Sequence, residues 1–146
     1  GSPLLSYFSN TVVRSRKIAV MISSVIVLCL VFPLAFFTSG IPLVGHYIIC
    51  LGLGMFSSAI VVIGFTTNKE LFPVQMAGTA TGMINLFPFS GGAVFQPILG
   101  YVLEKQGRIA GAFTLEGYQQ AFLVLFTCGV IALIASFFFK ETLERN

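Results

Sequence analysis

Asn85, Phe89, Gly92 and Gln96 stand at i, i+4, i+7 and i+11, a spacing that places them on one face of a helix. Two carboxamides on one stripe can hydrogen-bond a polar small molecule. They can equally bond across to neighbouring helices and hold a bundle together, and both readings stand. Ser57 and Ser58, on an earlier apolar segment, add two hydroxyls that both donate and accept. Pro88 falls inside the carboxamide stripe, where a proline frees a helical carbonyl that must find another partner and often marks a bend. His46 is the sole histidine. An imidazole titrates near neutral pH, but at the end of an apolar segment a solvated side chain is the simpler expectation.

What is absent narrows the chemistry. The chain contains no Asp, and Glu70, Glu104, Glu116, Glu141 and Glu144 all lie at the ends of apolar segments or beyond them. No His-Asp, Ser-Lys or His-Glu constellation lies within those segments to activate a nucleophile or hold a metal, so an enzyme is not expected. Cys29, Cys50 and Cys128 lack metal-ligand spacing and read as small apolar residues. No cofactor, metal or nucleic acid is implied.

The elements that must carry these residues follow from composition. With 56% hydrophobic and 9% charged residues and a mean hydropathy of +0.96, the chain lies far from the roughly 25% charged composition of soluble domains. The apolar residues come in long unbroken runs instead of amphipathic stripes, so a lipid bilayer is the expected solvent. Four runs without charge span about 18–37, 43–67, 77–103 and 118–139. Each matches the roughly 20 residues a helix needs to cross a bilayer. The expected fold is therefore all-α, a polytopic membrane protein with four transmembrane helices in one domain over 18–139. It is preceded by a basic loop and the end of another helix over 1–17, and followed by a short tail over 140–146.

Four spans put both termini on one side. That side carries Arg14, Arg16, Lys17, Lys69, Lys140 and Arg145, against Lys105 and Arg108 on the other. The excess of basic residues predicts cytoplasmic termini. The helices also differ in kind. The first and fourth runs are almost wholly bulky and apolar, suited to facing lipid around most of their circumference. The second and third are rich in Gly, Ser, Thr and carboxamides, which belong against protein or water.

The order of short motifs adds a resemblance. Ser6 to Lys17, with Ser9, Arg14 and a basic finish, resembles the basic loop of the major facilitator superfamily that precedes its ninth helix. Glu70-Leu71-Phe72-Pro73, followed by Ala77-Gly78-Thr79-Ala80-Thr81-Gly82, looks like that family's junction between the tenth and eleventh helices. Gly92 to Gly100, containing Pro97, resembles its Gly-x-x-x-Gly-Pro-x-x-Gly motif with Gln96 in place of the second Gly. Phe139-Lys140-Glu141-Thr142 matches the basic-acidic ending common after the twelfth helix.

The resemblance covers nearly the whole chain and implies helices nine to twelve of a twelve-helix transporter, a C-terminal fragment whose other helices are partners missing from this sequence. It implies secondary transport of a small polar metabolite by alternating access, in a bacterial inner membrane. Ser57, Ser58, Asn85 and Gln96 become candidate substrate or gate residues, and Gly82, Gly92, Pro97 and Gly100 candidate helix-packing positions. Arg14, Arg16 and Glu70 become a cytoplasmic charge network in which Glu70 pairs with one of the two arginines. Symport with a proton would need an ionisable group outside this sequence. Two alternatives stand beside this reading. One is a non-transporting membrane scaffold, with self-association through the small-residue faces. The other is a small four-helix multidrug exporter acting as a dimer, which would ordinarily use a carboxylate inside a helix.

Overall fold

The computed structural model describes residues 15–109 and 111–139, together with Tyr7. Among them run four long helices: α1 (Arg16–Phe36), α2 (Leu43–Leu71), α3 (Ala77–Lys105) and α4 (Leu115–Ser136). All four are long and apolar enough to cross a membrane.

The boundaries follow from capping and from charged ends. Ser15 precedes α1 and its Oγ accepts from the Ile18 N–H at 3.1 Å. Thr114 precedes α4 and its Oγ1 accepts from the Gly117 N–H at 3.2 Å. Each cap satisfies one of the donors that a helix start leaves unpaired. These caps begin α1 and α4 two and three residues before the apolar runs at Ile18 and Tyr118. At their far ends α2 and α3 run past the apolar stretches through Lys69, Glu70 and Lys105. Charged side chains are tolerated there because long side chains can reach the polar interface from a helix end.

The connections are short. A 3-10 turn at Thr38–Gly40 joins α1 to α2, and one at Val74–Met76 joins α2 to α3. Between α3 and α4 lies a small antiparallel hairpin, β1 (Arg108–Ile109) with β2 (Ala112–Phe113). Gly107 and Gly111 flank β1 and precede β2 with φ of +78° and +84°, which favour glycine. Over the hairpin, the Arg108 guanidinium lies 4.5 Å from the centre of the Phe113 ring.

The helices pack as a ring in which α1 meets α2 and α4, and α3 meets the same two. The interfaces of α1 are the more extensive. Over its most apolar stretch 39% of α1 is buried, against 11% in α2 and α4 and none in α3. α1 is thus the best covered of the four described helices, with the rest of its circumference left unburied. The reason is local. Leu30 of α1 projects to Gly52 of α2, and Leu28 projects to Gly129 of α4; a Cβ on either glycine would come within 2.8 Å of the leucine side chain. Missing side chains let a leucine seat closely, the same device that draws membrane helices together at small residues. Phe32 and Phe36 extend the α1–α4 seam edge-on to Phe126, at centroid distances of 6.0 and 5.9 Å. Ala19, Val20 and Ile63 close the α1–α2 side, with Phe139 against them.

Candidate functional site

Two regions concentrate polar groups. The first is the outward face of α3. Asn85, Phe89 and Gln96 are all exposed and Gly92 is half-buried. Neither carboxamide has a hydrogen-bond partner among the described residues, so bonding across to another described helix does not account for them. Ser90 lies between them on α3 and donates to its own helix, at Phe87 O, 3.1 Å away. Pro88 and Pro97 both lie inside α3, where each removes one helical N–H.

The packing glycines of α3 are open as well. A Cβ built on Gly82 or on Gly100 meets nothing within 4 Å, and one on Gly92 meets only Gln96 of the same helix. Any close approach at these positions would come from outside the described residues. Within the chain, glycine notches sit instead at Gly52 and Gly129. The apolar sequence around Gly129 carries no pattern that sets it apart, since its role depends on which leucine of α1 faces it.

Ser57 and Ser58 lie exposed on α2. Ser58 donates to Gly54 O at 2.6 Å, the back-bond usual for a hydroxyl on a helix. No hydrogen bond joins either serine to Asn85 or Gln96 among the described residues. His46, half-buried in the first turn of α2, has Nδ1 3.3 Å from Pro42 O.

The second region is the end of the bundle where α1 begins. Arg16 Nη2 donates to Glu70 Oε1 at 2.8 Å, with the arginine side chain 6% exposed and the glutamate 29%. Of the two arginines proposed for Glu70, Arg16 is therefore in contact, whereas Arg14 lies outside the described residues. Lys17 Nζ donates to Phe137 O, the carbonyl just past α4, at 2.7 Å. The two basic residues opening α1 thus tie it to the ends of both neighbours. Cations at helix C-termini are favoured because the carbonyls there carry partial negative charge. Thr67 and Asn68 lie one turn or less from Glu70, each 4% exposed; sequence reasoning passed over both because nothing about their spacing distinguishes them.

Among the described residues no group of three or more His, Cys, Asp or Glu side chains is placed to hold a metal. The four helices define a class by length and apolarity, chains able to cross a membrane several times. Comparison with known proteins finds no matching family, no matching curated protein and no matching solved structure.

Proposed function

We propose that this chain is an integral membrane protein that forms part of a secondary transporter, moving a small polar metabolite by alternating access. The observation that carries the reading is the contrast between α1 and α3. The apolar α1 is the best covered helix, whereas α3, with Asn85, Ser90 and Gln96, is the least covered. A carboxamide in a membrane helix is costly unless it meets protein or water. Further helices and a water-filled path beside α3 would supply both, as they do where substrate binds at the midplane between two bundles. In this reading the termini are cytoplasmic, the membrane is a bacterial inner membrane, and Asn85 and Gln96 line the path with Ser57 and Ser58. Proton coupling, if present, uses an ionisable group elsewhere in the assembly.

The test is uptake of a panel of labelled small polar metabolites by cells making the whole protein. Replacing both Asn85 and Gln96 by Ala is expected to cut kcat/KM for the transported compound about tenfold or more, each lost hydrogen bond costing about 0.5–1.5 kcal/mol. Unchanged affinity and rate would refute the assignment.

A second reading has its own support in the open glycines. Gly78, Gly82, Gly91 and Gly100 leave space beside α3 for another helix at close range. A scaffold that self-associates through that face would use the same surface without a water path.

A further inference from the structure

A cleft of about 360 Å³ opens between the last turns of α2 and the first half of α3, at the Arg16 end of the bundle. Its walls are apolar, with Leu71, Phe72, Met83, Ile84, Phe87 and Phe139 among the lining side chains. Among the described residues, Thr67 and Asn68 are the polar ones that line it. Thr67 Oγ1 and Asn68 Nδ2 are shielded from water and have no hydrogen-bond partner among the described residues. Their neighbour Thr66 behaves as a helical hydroxyl normally does, donating to Val62 O at 2.9 Å. Buried donors without acceptors are rare and carry a free-energy penalty, so two of them beside one cleft call for an acceptor from outside.

We propose that the cleft binds one anionic glycerophospholipid. An acyl chain lies along the apolar walls, and an ester or phosphate oxygen accepts from Asn68 and Thr67. A half-turn of the Asn68 carboxamide exchanges its nitrogen and oxygen with little change in shape, which lets the NH2 turn toward a bound acceptor. The volume and lining fit the pattern of ligand sites, which are mostly apolar with a few placed polar groups.

Three observations select this occupant. A free polar metabolite would leave the apolar walls unmatched. The chain's own continuation, Lys140 to Asn146, carries Lys140, Glu141, Glu144 and Arg145 and suits such walls no better. At this end of the bundle the exposed Lys69 follows Asn68 on α2, and a cation beside the cleft favours an anionic headgroup. The site rests on the reading that the helices cross a bilayer, but not on transport.

Native mass spectrometry of the intact protein in mild detergent, with phosphatidylglycerol and phosphatidylcholine added in equal amounts, tests the site. One phosphatidylglycerol is expected to be retained over phosphatidylcholine. Asn68→Leu, which removes the donor, and Gly64→Phe, which fills the cleft, should each lower that retention about fivefold, the worth of about one hydrogen bond. Val25→Phe, in the separate groove of α1 lined by Ile18, Met21, Ile22 and Ile26, should leave it unchanged. Asn68→Leu should also keep its thermal stability in lipid-free detergent, because the amide it removes has no partner to lose. Equal retention of the two lipids, retention unaffected by both cleft variants, or an equal loss in Val25→Phe would overturn the proposal. Release of the protein from membranes by alkaline carbonate without detergent would instead overturn the bilayer reading on which it rests.

Discussion

The Arg16 side chain is only 6% exposed, and Glu70 at 2.8 Å is one of the groups that compensate its burial. Removing one member of a fully buried pair costs about 3–5 kcal/mol, because the other charge is left without compensation. Glu70 keeps 29% of its side-chain exposure, so water offsets part of the loss. Glu70→Gln is expected to destabilise the protein by about 1–3 kcal/mol, read as a lower thermal midpoint in detergent. A change below about 0.5 kcal/mol would mean that the pair behaves as an exposed one. The two carboxamides of α3 show the opposite situation: polar groups with no partner in the described chain, which is why their role is argued from function and not from stability. Their shared stripe was legible from spacing alone. That Arg16 reaches Glu70 was not, since Arg14 and Arg16 are equally basic and only packing brings a particular side chain within range.

The glycines divide at the level of the helix. Gly52 and Gly129 receive leucines of α1, whereas Gly82 and Gly100 face open space. Gly129→Leu should overpack the α1–α4 seam and cost about 1–3 kcal/mol. Gly82→Ala should leave the stability of the described bundle unchanged or raise it by up to about 1 kcal/mol through helix propensity. If a further helix packs on α3, the same methyl group lowers uptake by the whole protein; wild-type uptake would argue against a close partner there. Element identity was legible because charge-free runs of this length have few other solutions. The ends were less so. Ser15 and Thr114 start their helices ahead of the apolar residues, and Lys69 and Glu70 remain helical beyond them. That α1 would be the best covered helix was not legible, because a helix that is apolar all round does not mark which face it buries. The positions of Leu28 and Leu30 opposite glycines become visible only in three dimensions.

At the scale of the molecule, the bundle is unevenly covered: α1 is tied to both neighbours, while α3 packs on two helices but has no fully buried residue along its most apolar stretch. That imbalance is what motivates the proposal of further helices and water beside α3. A scaffold would bury the same face in a dry contact, and a lipid-facing helix would leave it in hydrocarbon. Substituted-cysteine labelling separates these outcomes most directly. With Cys29, Cys50 and Cys128 replaced by Ser in the whole protein, Asn85→Cys, Gln96→Cys and Val25→Cys are exposed in membranes to a charged, membrane-impermeant thiol reagent. Only water-exposed thiols ionise and react readily. A water-lined transport path predicts labelling at positions 85 and 96, slowed by the transported compound, and none at position 25. Absence of labelling at both carboxamide positions, with the protein inserted and intact, would contradict a transport path along α3.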